Sequence, residues 1–186
     1  IATATRSDRA EYLRQWLDSG QHGAMQWLET RFDERVDPRA YMPGAQSVIC
    51  VAMNYYTPLE NTPADGPRGK IAQYALGDDY HEIIKTRRHA LADCMRQRWP
   101  NIQTRACVDT APLMEKDLAA RAGVGWIGKN SCLINENIGS WLLLGEIVTT
   151  LQLPFDDPAT DHCGTCRRCI EACPTQAITQ PYQIDS

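Results

Sequence analysis

The sequence predicts an α+β layered domain over residues 1–153, followed by a small cysteine-bearing module over 154–186. Two observations carry this. Strand-like and helical segments are mixed along the first part without an internal repeat. After Leu153-Pro154 the composition turns to Asp, Pro and Cys. The 186 residues are 43% hydrophobic and 23% charged, with a net charge of −4. That is too apolar for a disordered chain, and the mild acidity gives no global nucleic-acid signature. No run approaches the roughly 18 apolar residues of a membrane span. The opening IATATRSDRAEY lacks the apolar core of a signal peptide and also lacks a Met. The expectation is a cytoplasmic protein without a membrane partner, trimmed at its start.

The elements follow from periodicity. Tyr12, Leu13, Trp16 and Leu17, then Met25 and Leu28, recur at helical spacing over 8–29, with a break at Gly20-Gln21-His22-Gly23. Ser47–Tyr56 is β-branched at its start and follows a Pro43-Gly44 turn, which predicts a buried strand. Three prolines and two glycines make 57–69 a loop. Ile83, Ile84, Leu91, Met95 and Trp99 form an apolar stripe and predict a helix over 81–99. A short strand is read over 104–109 and a helix over 112–122, with Pro112 in its first turn and Gly123 ending it. Residues 131–135 and 140–149 read as a hairpin about Glu136–Gly139.

Eight cysteines need an explanation. Cys50, Cys94, Cys107 and Cys132 are scattered and read as small buried hydrophobes in a reduced chain. The other four form Cys163-x-x-Cys166-x-x-Cys169-x-x-x-Cys173-Pro174, the bacterial ferredoxin spacing for a [4Fe–4S] cluster. The short spacings let three thiolates of one tight loop reach three corners of a cube. A zinc site usually spaces two pairs about a longer loop. A cluster moves electrons singly, so the chemistry must lie with a second cofactor in the larger domain.

Val108-Asp109-Thr110-Ala111-Pro112 puts an acid between a strand and a helix. Asp109 reads either as a helix N-cap or as a general acid in an apolar, cofactor-covered pocket. The glycine-rich Gly123–Ser131 stretch has the wrong spacing for a phosphate loop. It is either a plain connection or a close approach of backbone to a flat ligand. Asp79-Tyr80-His81 begins a D-x-H-x-x-G cobalamin pattern, but Ile84 stands where the glycine belongs. No histidine ligand to cobalt is therefore expected, and His81 reads as a helix start.

Taken together, Tyr74–His81, Asp109-Thr-Ala-Pro-Leu-Met-Glu115, Ala122–Ser131, Gly139–Glu146 and the cysteine run resemble the epoxyqueuosine reductase family over nearly the whole chain. The resemblance implies a nitroreductase-like, cobalamin-binding α+β domain with a ferredoxin-like module. It implies reduction of epoxyqueuosine to queuosine in tRNA, with cobalamin and two [4Fe–4S] clusters, and an electron donor such as a flavodoxin or ferredoxin. Carried over by position, Asp109 matches the proton donor. Cys163, Cys166 and Cys169 match ligands of one cluster, and Cys173 a ligand of the other. Arg31, Asn54, Tyr55, Leu133 and Leu144 are the expected corrin contacts. Lys116 stands where the family usually has Arg. The family also implies a strand and helix before Ile1, and a second cysteine run and a tRNA-binding helical-repeat domain after Ser186. The competing readings are a cobalamin-dependent reductive dehalogenase, for which no twin-arginine signal is visible, and a non-catalytic ferredoxin-like electron carrier.

Overall fold

Ser47 to Asn54, rich in β-branched and apolar residues, forms one of two long strands at the centre of the molecule. The structure is a computed structural model that describes residues 1–58, 69 and 71–186. Its frame is an antiparallel sheet in the order β1-β2-β6-β3. The strands are β1 (Ala2–Thr3), β2 (Ser47–Asn54), β3 (Thr104–Cys107) and β6 (Leu142–Thr149). β2 and β6 pair along their full length, from Ser47 opposite Thr149 to Asn54 opposite Leu142. Because side chains alternate along a strand, Val48, Cys50, Glu146, Val148 and Cys107 share one face. Ile49, Ile147 and Ala106 share the other.

Each face has its own cover. α4 (Tyr80–Arg98) buries Ala92 and Met95 against Ile147, Ile49 and Ala106. Its N-cap is Asp79, whose carboxylate accepts the His81 N–H at 2.9 Å. α4 can lie close because β6 carries Gly145: a Cβ there would meet Arg88 Cδ and Ile84 Cγ2 at 2.9 Å. On the opposite face α5 (Glu115–Arg121) buries Leu118 with Val48, Val148, Cys107 and Leu113. Around this frame lie α1 (Ala10–Asp18), α2 (Phe32–Val36) and α3 (Pro38–Tyr41). A two-stranded ribbon of β4 (Trp126–Ile127) and β5 (Leu133–Ile134) and the short α6 (Arg168–Glu171) complete it. No described helix is long and apolar enough to cross a membrane.

The mixed helix-and-sheet class is as predicted, and three local expectations are corrected. The hairpin of 131–135 with 140–149 does not form. β5 pairs with β4, and β6 instead enters the main sheet between β2 and β3. Buried on both faces, β6 gains more there than it would on an exposed ribbon. The helix expected from Pro112 begins only at Glu115, because Ala111–Leu113 is a tight turn closed by Leu113 N–H onto Ala111 C=O at 2.8 Å. Of the scattered cysteines Cys107 is buried and Cys50 half-buried, but Cys94 and Cys132 are exposed. The loop expected over 57–69 lies mostly outside the described residues.

Candidate functional site

β3 ends at Cys107, and the chain then makes a sharp turn. Asp109 has φ +47° and sits at the centre of a three-residue turn closed by Thr110 N–H onto Val108 C=O. A non-glycine residue in this conformation carries a backbone cost and persists where surrounding contacts hold it. The turn is held from below: the Asp109 N–H donates to Glu115 Oε1 at 2.6 Å. The N-cap reading of Asp109 is thereby excluded, since α5 starts six residues later with Met114 at its N-cap position.

The Asp109 carboxylate points outward, 63% exposed. The expectation of an acid desolvated in an apolar pocket is therefore not met by this chain's own residues. Its nearest ionisable partner is His81 at the start of α4, with Nε2 3.4 Å from Asp109 Oδ2. His81 Nδ1 lies 2.7 Å from Asp79 Oδ1, and its ring stacks on Tyr80 at 4.0 Å. Asp79, first, and Asp109 raise the His81 pKa, because both favour the imidazolium. Sequence reasoning set His81 aside. The failed glycine spacing bore only on a cobalt ligand, and a pairing with Asp109 across 28 residues leaves no local signal.

The Asp109 turn divides two open cavities. One, of about 490 Å³, is lined by Asp109, Met114, Glu115, Lys116, Trp16 and Trp27. The other, of about 590 Å³, holds His81 with the cations Arg31, Lys85, Arg88 and Arg105. Lys116 Nζ donates to Ser131 C=O at 2.8 Å, which aims its charge along the wall of the first cavity. The five expected corrin contacts do not converge on either. Arg31 lines the second cavity and pairs with Glu34. Asn54 spends its side chain on Ile138 C=O and Tyr56 N–H, each at 2.8 Å. Tyr55 packs edge-on against Trp141 at 5.6 Å. Leu133 is buried in β5, and Leu144 is half-buried in β6 opposite Ala52.

Exposed aromatic side chains gather on a different surface. Tyr56, Trp141 and Ile138 are exposed at one end of the sheet, and Gln73 hydrogen-bonds Thr57 beside them. The chain continues through exposed Tyr74, which packs edge-on against Tyr80, to His81 and Asp109. An uncovered aromatic shelf thus ends at an ionisable trio.

The four thiols of the cysteine run stand half-buried or exposed on one loop. Among the described residues no three His, Cys, Asp or Glu side chains are gathered round a single metal ion. The loop itself is built to present sulfur. Cys166 N–H donates to Cys163 C=O at 2.9 Å, and Cys163 N–H to Asp161 Oδ1 at 2.7 Å. Backbone amides of Ile178, Thr175 and Ala177, with the Thr175 hydroxyl, bring the Cys173 thiol down to about 7, which favours the ligating thiolate. Lys129, from the glycine-rich stretch, donates to the carbonyls of Gly164 at 2.6 Å and Cys166 at 2.9 Å. That stretch is thus a clamp on the cysteine loop, a role its composition did not reveal.

Comparison with known proteins gives these features a context. Residues 35–110 match the family profile described as epoxyqueuosine reductase QueG, DUF1730, and residues 159–179 match the 4Fe-4S binding domain. The epoxyqueuosine reductase of Synechocystis is 45% identical over 186 residues, covering all of this chain and 63% of that protein. That of Xanthomonas campestris is 45% identical over 179 residues, covering 94% of this chain and 50% of its own length. A Bacillus subtilis epoxyqueuosine reductase structure, described as having its catalytic aspartate loop swung out of the active site, superposes with a TM-score of 0.91 at 28% identity. That match covers 99% of this chain and 49% of the other. An epoxyqueuosine reductase structure with a tRNA-Tyr epoxyqueuosine-modified stem loop superposes at 0.88, with 29% identity over 98% of this chain and 49% of the other. The chain thus spans between about half and 63% of the length of the relatives it matches. In sequence over its whole length and in fold, it is similar to the epoxyqueuosine reductases.

Proposed function

We propose that the protein containing this chain reduces the epoxide of epoxyqueuosine in tRNA to give queuosine, and that Asp109 delivers the proton to the opening ring. The observation that carries this reading is the Asp109 turn. An aspartate is held at φ +47°, fixed by Glu115 below and faced by His81. Its exposed carboxylate lines one open cavity and faces His81, which lines the other. Cobalamin would lie on the aromatic shelf, against Tyr56 and Trp141, with Cys163, Cys166 and Cys169 holding one cluster and Cys173 supplying a ligand to the other. Bound there, cobalamin supplies a strongly reducing centre for opening the epoxide, and the iron–sulfur clusters supply electrons one at a time.

The chain's own residues do the remaining work. Cleavage of the C–O bond places charge on oxygen, and the Asp109 carboxyl neutralises it by proton transfer. A cofactor and substrate seated against the turn would cover the carboxyl and supply the desolvation that the exposed site lacks on its own. The His81 imidazolium, braced by Asp79, orients the Asp109 carboxylate between turnovers. The Lys116 ammonium keeps the positive charge of the Arg usual in the family, though not its bidentate geometry. Overall the ring takes up an electron pair and two protons, and loses water as the alkene forms.

The test is Asp109→Asn in the full-length protein. Asn is comfortable in left-handed backbone, so the turn persists, but the amide cannot donate as a carboxylic acid does. Queuosine formation falls by about 10²–10⁴-fold, the usual worth of a general acid. Cobalamin absorption and iron content stay at wild-type levels. Near-normal turnover by this variant rules out the assignment of Asp109.

A further inference from the structure

Beneath the Asp109 turn lies a charge problem that the proposed chemistry does not use. Glu146 projects from the middle of β6 onto the α5-covered face of the sheet and is completely buried. Its strand neighbours on that face are Cys50 and Cys107. Neither carboxyl oxygen of Glu146 has a hydrogen-bond partner among the described residues when both are counted as acceptors. A lone carboxylate in such a place would cost several kcal/mol. The group that acts on it most is a second acid, Glu115, which lies close enough for the two carboxyls to influence each other. A fully buried carboxyl beside a second acid is disfavoured as an anion.

We propose that Glu146 is a protonated carboxylic acid that donates to the Glu115 carboxylate, and that this one-proton pair is the positioning device of Asp109. In this arrangement Glu115 accepts the Glu146 O–H on one side and the Asp109 N–H on the other, at 2.6 Å. One of the two orphaned oxygens of Glu146 thereby becomes a donor with a partner. The strained turn at Asp109 is also explained: an ionised acceptor makes a stronger bond to its amide than a neutral one does.

Burial, and then the negative charge of Glu115, push the Glu146 acid well above its usual range; Glu115 is also raised, first by burial, with the charge of Asp109 adding to it. The other groups facing the pair leave that direction in place. Cys50 on β2 and Cys107 on β3 are thiols raised by burial and therefore neutral. Arg88 on α4 favours ionisation, but it directs Nη1 to the Glu146 backbone carbonyl, at 3.5 Å. Asp117 on α5 is matched by Arg121 at 3.2 Å.

The positioning role rests on Asp109 being the acid, whereas the shared proton does not, so the experiment reads them separately. In the full-length protein, infrared difference spectra should show a protonated carboxyl band near neutral pH that Glu146→Gln removes. In the wild type this band should titrate away as pH rises, and the protection of the Asp109 amide from hydrogen exchange should fall in the same step. Glu115→Ala should lower kcat for epoxyqueuosine by roughly 10²-fold with KM unchanged, the scale of an ångström's misplacement of a reacting group. Glu115→Gln, whose amide oxygen still accepts from Asp109, should restore most of it. A wild-type spectrum with no protonated band that Glu146→Gln removes overturns the proposal. So does an Asp109 amide equally protected in Glu115→Ala. If Asp109→Asn turns over normally, the catalytic reading falls, while the infrared and exchange results still decide the pair.

Discussion

His81 stands between two carboxylates, and its charged form gains from both. Asp79 contributes the larger share at 2.7 Å, and Asp109 the smaller at 3.4 Å. The folded pKa is raised above the unfolded value, so the linked stability is full below the unfolded pKa and fades as pH rises through the folded one. The site is open to solvent and screened, so the readable quantity is the titration midpoint rather than stability. In an NMR titration of the full-length protein, Asp79→Asn should lower the His81 midpoint, and Asp109→Asn should lower it by less. An unmoved midpoint in Asp79→Asn means that the contact is not made in solution. At this scale the sequence was legible where chemistry is local. The cysteine spacing and the acid after a strand could be read because each lies within a dozen residues. The Asp109–His81 pair and the Glu115–Glu146 pair join residues about thirty apart, so only the folded chain reveals them.

Among the elements, α4 and β2 were predicted to within two residues, although of the stripe read for α4 only Ile84 and Met95 are buried, and Leu91 and Trp99 are exposed. β6 was recognised as a strand but given the wrong partner. Its central place in the sheet is decided by burial of both its faces, Ile147 against α4 and Val148 against α5, which a single strand's pattern does not encode. Gly145 is the hinge of that arrangement. A methyl group there would sit 2.9 Å from Arg88 Cδ and Ile84 Cγ2. The Arg88 side chain is buried and cannot swing clear into water. Gly145→Ala should therefore cost about 1–3 kcal/mol, the range of overpacked cores, in a denaturant titration monitored by circular dichroism. A loss of only a few tenths of a kcal/mol would mean that α4 shifts freely along the sheet. Because α4 also carries His81, that outcome would undo the fixed spacing from His81 to Asp109.

Across the whole molecule, the cysteine loop and the sheet-bearing part meet through few but specific contacts. Lys129 spans them with two bonds, to Gly164 C=O and Cys166 C=O. Its own carbonyl accepts the Tyr182 N–H at 2.9 Å, and the Tyr182 hydroxyl donates to Asp161 at 2.7 Å. Asp161 in turn receives the Cys163 N–H, and His162 packs on Trp126 at 4.8 Å. One ammonium thus fixes a loop that has no helix longer than one turn to hold it. Under the proposed function, electron passage from a cluster would require such a fixed separation from its acceptor. Replacing Lys129 by Met keeps the aliphatic stem and removes every donor, whereas Arg keeps donors on a longer arm. In the full-length protein the Cys166 amide should lose hydrogen-exchange protection in Lys129→Met and keep most of it in Lys129→Arg. Amides in the middle of α4 should exchange as before in both, because the sheet's two cores do not involve Lys129. The reconstituted cluster should also lose iron faster in the Met variant, since the carbonyl–ammonium bonds no longer hold Cys163 and Cys166 at one geometry. An unchanged Cys166 amide in Lys129→Met would place the ordering of the loop in other ties, such as His162 on Trp126 and the Ala159 N–H on Ala120 C=O.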